Sequence, residues 1–147
     1  MSALQIMRAL VQLCFLTLCY RLAGMANDTY YVAKARAWCD LRAYPQAIRC
    51  LQKALRETEM AFIRAQMAWC YMELGMMEQA VVHYRAAYER SKHPYVALGL
   101  AWAEWHSGHA VESRALVEEL RRSRFPLVAD DTVWLNKLEE HLDAAPH

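Results

Sequence analysis

Glycine and proline are scarce, four of each in 147 residues. Tight turns draw heavily on both, so an all-β sandwich or barrel is excluded. Net charge is nearly absent too: 17 Lys and Arg stand against 16 Asp and Glu, leaving +1, and nothing favours a phosphate-tracking surface for nucleic acid. The five cysteines, Cys14, Cys19, Cys39, Cys50 and Cys70, form an odd set at no zinc-ligand spacing. Inside apolar helical patterns they read as free buried thiols, which favours a reducing compartment and a cytoplasmic location. No glycine-rich phosphate loop and no nucleophile elbow occurs. His106 and His109 straddle Ser107-Gly108 without a third ligand at a familiar spacing, and His83, His93, His141 and His147 are scattered. No catalytic set, metal site or cofactor is therefore expected.

What the chain has is apolar periodicity. Hydrophobic residues make up 56% of it, enough core for one domain, and they recur at close to 3.6 residues, the period of a helix with one buried face. The segment from Met60 to Arg90 reads as two amphipathic helices around a tight turn at Gly75. Its parts recur on either side. Arg42, Gly75 and Gly108 are 33 residues apart, and each has small residues at the same offsets: Ala35 and Ala47, Ala68 and Ala80, Ala101 and Ser113. Trp38 and Tyr71 hold one bulky position, Leu51, Tyr84 and Val117 another, while Ala54, Ala87 and Leu120 follow. A fixed period of this size built from helix pairs is the signature of a helical solenoid.

The order small, aromatic, Gly, small, aromatic, Ala resembles the tetratricopeptide repeat (TPR), best seen in AWCYMELGMMEQAVVHYRAAYER. The match covers about three units. It departs from the usual pattern in its period, one short of about 34 residues, in Arg42 at the first turn, in Glu104 where an aromatic is usual, and in closing prolines displaced to Pro94 and Pro126. The resemblance implies an all-α fold: a right-handed α-solenoid of about three helix pairs with an extra helix at each end. The units are expected at 28–60, 61–93 and 94–126, within a repeat region of 27–125.

The ends read differently. Residues 1–26 hold an apolar run from Ala9 to Tyr20 between Arg8 and Arg21, followed by the small-residue site Gly24-Met25-Ala26. That is either a targeting segment or a leading helix. The uninterrupted run is too short to span a bilayer, which takes about 20 residues. Shifted by one period, Val11, Cys14, Phe15, Leu18 and Leu22 match the apolar positions Tyr44, Ala47, Ile48, Leu51 and Leu55, so the leading helix is the preferred reading. Asn27, Asp28 and Thr29 can cap the first repeat helix, and Pro45 suits the first turn of the next. Phe125-Pro126 closes the repeats. In 127–147, Asp130-Asp131-Thr132 caps a last helix, Val133 to Leu142, whose Trp134, Leu135, Leu138 and Leu142 form an apolar stripe shielding the final unit. Glu139 and Glu140 read as solvated, and Glu118, Glu119, Arg121, Arg122 and Arg124 as a mixed-charge surface.

The TPR resemblance also implies that the first helix of each unit lines the concave side, where partner peptides lie. The partner-facing candidates in this register are Arg36, Phe62, Trp69, Met72, Tyr95, Leu98, Trp102 and Trp105. They are mostly aromatic or apolar, without the Lys and Arg set that TPR cochaperones use to hold an acidic chain end. The expected ligand is an apolar or amphipathic segment of another protein. Three other ways to cover this face stand beside that one: core packing between repeats, filling by the chain's own terminal helix, and self-association. The size and apolar groove look like the small TPR chaperones of bacterial type III secretion. The alternative is a membrane-associated or exported scaffold that uses the N-terminal helix as anchor or signal.

Overall fold

The computed structural model describes residues 2–24, 27–123 and 127–144. Arg124, the Phe125-Pro126 boundary and His147 lie outside those residues, as does most of the Gly24-Met25-Ala26 site. Eight helices and no strand occur among the described residues: α1 (Ala3–Ala23), α2 (Asn27–Asp40), α3 (Tyr44–Glu57), α4 (Ala61–Glu73), α5 (Met77–Arg90), α6 (Pro94–His106), α7 (Ala110–Arg122) and α8 (Ala129–Ala144). The fold is all-α. The helices α2 to α7 form three pairs, each packed on the next.

The three intra-pair turns are made the same way. Each helix ends on a left-handed residue, Arg42 (φ 55°), Gly75 (φ 73°) or Gly108 (φ 83°). The amide of the following residue donates five residues back: Ala43 to Trp38 and Met76 to Tyr71, both 2.9 Å, and His109 to Glu104, also 2.9 Å. The left-handed residue itself donates three back, to Cys39, Met72 or Trp105. This double closure satisfies two carbonyls that a helix end otherwise leaves unpaired. It needs a positive φ, which glycine adopts freely and arginine does not. Arg42→Gly is therefore expected to stabilise the protein by about 1 kcal/mol, raising Tm by about 3 °C in a thermal melt.

Small residues let the pairs close. Ala35, Ala47, Ala68, Ala80, Ala101 and Ser113 are fully buried, and Ser113 Oγ donates to the Ala101 carbonyl at 2.8 Å across the third pair. Larger side chains fill the layers between them: Ile48, Leu51 and Ile63 in the first half, Tyr84, Leu100 and Leu120 in the second. Tyr71 touches both clusters, so the core is continuous along the solenoid.

At the two ends the structure corrects the sequence reading. The N-terminal helix is longer than its apolar run, because Ser2 and Gln5 form a capping box that starts it at Ala3 and Gly24 stops it. Its buried face is Ala9, Leu13 and Leu16, set on α2, with Tyr20 stacked on Tyr30 at 4.2 Å. Val11, Phe15, Leu18 and Leu22, matched by spacing to buried or half-buried positions of a repeat, are exposed instead. Such a face is covered in a repeat by flanking helices, whereas α1 packs chiefly on α2, with its other side. At the far end, Glu139 is not simply solvated. It pairs with Arg121, which also donates to Asn136 at 2.6 Å, and Arg114 reaches Asp143 at 3.4 Å. These contacts, with Leu135, Leu138 and Leu142 buried beneath, hold α8 against α6 and α7.

Candidate functional site

The inner helices α4 and α6 lie side by side, and α8 packs on α6 and α7. Between them runs a groove of about 460 Å³. Trp69 and Met72 come from α4, and Tyr95, Leu98 and Trp102 from α6. Five of the eight candidate residues are thus brought together. Phe62, on the outer end of α4, is exposed but does not line the groove. Trp105, three residues past Trp102, turns toward α8 and meets the His141 ring edge-on at 5.8 Å. Arg36 is separated by a repeat and by α1: it lines a second, polar hollow of about 640 Å³ with Gln5, Arg8, Cys39 and Arg42.

The terminal helices account for this division. The beginning of α1 lies along the inner side of the first pair, and the beginning of α8 closes the groove beyond the third. Trp134 stands edge-on to Trp102 at 5.6 Å, and Trp102 stacks on His106 at the same distance. Trp69 meets Tyr44 edge-on at 5.6 Å. Quadrupole matching of this kind fixes ring orientation while leaving faces open. Trp69, Tyr95 and Trp134 remain exposed, whereas Trp102 is largely packed.

Eight lining residues were not among the partner-facing candidates: Glu73, Met77, Tyr84, Gly99, His106, Asp130, Asp131 and Trp134. Tyr84, read as core, forms the floor, and Gly99 gives it room: a methyl group there would sit 2.5 Å from the ring Cζ and 2.8 Å from the hydroxyl. Asp130 and Asp131, read as helix caps, face the groove from α8. Burial, then the neighbouring charge of Asp130, holds the Asp131 carboxyl above its usual range. Glu73 adds a third carboxylate from α4 and accepts from the Tyr44 hydroxyl at 3.1 Å. Among the described residues no Lys or Arg lines the groove. Only the packing of α8 brings Asp130, Asp131 and Trp134 here, and no local pattern signals it.

Other candidate chemistry resolves into structure. His109 Nδ1 lies 2.7 Å from Glu104, which also pairs with Arg85. Glu104 is buried where the other units carry Trp38 and Tyr71, so an ion-paired carboxylate replaces the usual aromatic. All five cysteines are free. Cys39 and Cys70 sulfurs are 3.5 Å apart, and the hydrogen bond between them favours the Cys39 thiolate and pushes the Cys70 thiol up. Cys14 is exposed and Cys19 and Cys39 are half-buried, so burial is complete only for Cys50 and Cys70. Among the described residues no cluster of three or more His, Cys, Asp or Glu is placed to hold a metal ion.

No protein-family profile and no curated protein matches the sequence. Solved structures do match. The first TPR of Spaghetti (RPAP3), bound to the HSP90 peptide SRMEEVD, is 17% identical over 80% of this chain and 94% of its own, with a TM-score of 0.66. A thermophilic TPR protein of Thermus thermophilus is 20% identical over 84% of this chain and 69% of its own, with a TM-score of 0.70. The Sgt2 TPR domain of Aspergillus fumigatus is 15% identical over 82% and 85%, with a TM-score of 0.68. With three helix pairs closed by identical turns and an inner groove between α4 and α6, this chain has the TPR fold.

Proposed function

We propose that the protein is a non-enzymatic protein-interaction module whose groove between α4, α6 and α8 binds an apolar or amphipathic segment of a partner protein. The observation that carries this is the convergence of Trp69, Tyr95, Trp102 and Trp134 with Met72 in one open groove. Large rigid rings beside an adaptable thioether are the side chains that anchor a docked segment. Spaghetti shows a TPR holding a peptide. That peptide ends in acidic residues, whereas this groove has carboxylates of its own and no Lys or Arg among the described residues, so an acidic chain end is a poor fit here. Shielding an aggregation-prone segment, as small TPR secretion chaperones do, is the finer form of this reading.

A second reading concerns α1. Its stretch Ala3–Leu22 is long and apolar enough to cross a bilayer, and little of it is buried. Twenty helical residues span about 30 Å, the thickness of a hydrocarbon core. The protein is then a membrane-associated scaffold, with α1 in lipid and the groove facing water. The two readings are compatible, since no residue of α1 lines the groove.

One experiment addresses both. Tagged full-length chain is recovered from the membrane and soluble fractions of its source cells, wild type beside Trp69→Glu, and co-purified proteins are identified. Trp69 is half exposed, so the variant is expected to keep its helicity while weakening partner binding by about thirtyfold or more, the scale of a lost aromatic hot spot. Retained binding with intact helicity would sink the groove reading. Recovery wholly in the soluble fraction would sink the membrane one. Trp102 is a poorer probe, because its contacts with Trp134 and His141 also hold α8.

A further inference from the structure

The charge of the groove specifies its ligand further, on the reading that the groove is the docking site. Glu73 stands on one wall, Asp130 and Asp131 on the other, and among the described residues no Lys or Arg lines the space between them, His106 being the one basic ring there. The rings of Trp69, Tyr95 and Trp134 keep exposed surface in the same space. A purely apolar segment would desolvate three carboxylates without compensating them, which is unfavourable. A segment with a guanidinium or ammonium group among apolar neighbours satisfies both features, since the cation meets carboxylates and indole faces together. The protein itself displays such a contact on one of the groove's rings, where Lys137 Nζ lies 5.3 Å from the centre of the Trp134 ring.

We infer that the partner segment is basic and amphipathic: a Lys or Arg enters between Glu73 and Asp131, and the large apolar side chains beside it pack on Trp69, Met72 and Leu98. The Asp131 carboxyl, held above its usual range by burial and by Asp130, gains a counter-charge on binding. Part of the negative charge is already offset by the N-terminal turn of α8, where both aspartates sit. Glu73 has no such offset and is the stronger attractor.

The test is selection from a displayed random-peptide library on the full-length chain, followed by titration of the selected peptides into wild type, Trp69→Glu and Glu73→Gln/Asp131→Asn. The expected peptides carry Lys or Arg within a few residues of Trp, Phe, Leu or Met, and lose binding in Trp69→Glu. The double charge variant is expected to weaken them about fivefold or more. Raising salt from roughly 0.05 M to roughly 0.5 M should weaken wild-type binding and leave the charge variant nearly unchanged. Peptides that need Trp69 but are uncharged or acidic, or ignore the charge substitutions, would overturn this inference and leave the docking groove standing. Failure to select any peptide sensitive to Trp69→Glu would remove both. Self-association of the chain abolished by Glu73→Gln/Asp131→Asn would overturn the external partner, and would place in the groove the α1 helix of a second copy, whose only charges are Arg8 and Arg21.

Discussion

Gly99→Ala is expected to destabilise the protein by about 2 kcal/mol, although it replaces a poor helix former with the best one. Gly99 lies inside α6 with a negative φ, so its backbone gains from the change. The opposing term is steric. The added methyl would meet Cε1, Cζ and the hydroxyl of Tyr84, at 2.5 Å for Cζ, and that ring is only 2% exposed. It belongs to the same buried core as Ala80, Ala87 and Leu100. Overpacking of a close-packed interior costs about 1–3 kcal/mol or more, against about 1 kcal/mol of helix propensity gained. A Tm lowered by about 6 °C in a thermal melt would follow. The groove offers the ring its one escape, since Tyr84 is the groove floor, so the same substitution should also weaken ligand binding. Adding Tyr84→Leu supplies the control: it should cost clearly less in Gly99→Ala than in wild type. A Gly99→Ala protein as stable as wild type would show that the ring tilts freely.

Glu104→Ala is the second large effect, an expected loss of about 2–3 kcal/mol. The carboxylate is 2% exposed and joins three elements: α6, which carries it, Arg85 of α5, and His109 at the start of α7. Its removal leaves a void at a position the other units fill with Trp38 or Tyr71. It also strands two donors. Their orphaning costs less than a fully buried pair would, because the Arg85 and His109 side chains are 55% and 43% exposed and can return to water. Glu104→Gln keeps the volume and one acceptor, and is expected to lose only about 1 kcal/mol. Chemical denaturation of the two variants separates packing from charge: equal losses would mean that the charge carries the whole effect, and no loss in Glu104→Gln would mean that the pair contributes nothing beyond its shape.

The pair also explains how the third unit departs from the repeat pattern without losing register. An aromatic at this position contributes by area, and Glu104 by direction. Its backbone carbonyl still closes the turn with the His109 amide at 2.9 Å, as Trp38 and Tyr71 do in theirs. The turn geometry depends on backbone hydrogen bonds and a left-handed residue, so the side chain at this position was free to change.

The sequence alone determined the solenoid. A period of 33 residues, small residues at fixed offsets and three equivalent turn residues are local properties: each says what one helix or turn can do, and repetition forces the units to stack. Arg42 was identifiable as a turn residue despite its chemistry, because spacing located it. The inner-face residues Trp69, Met72, Tyr95, Leu98 and Trp102 were legible for the same reason, as equivalent positions on successive helices. Tertiary structure decided where the repeat logic stops. The face by which α1 meets α2 depends on which helices flank it, and no period carries that information across a chain end. Asp130, Asp131 and Trp134 enter the groove only because Arg121, Arg114 and the buried Leu135 and Leu138 dock α8 on α6 and α7. A carboxylate beside helix-capping residues looks alike in sequence whether it faces water or a ligand; the difference lies in what packs opposite it, and here that is Glu73 with the rings of Trp69, Tyr95 and Trp102, all contributed by other helices.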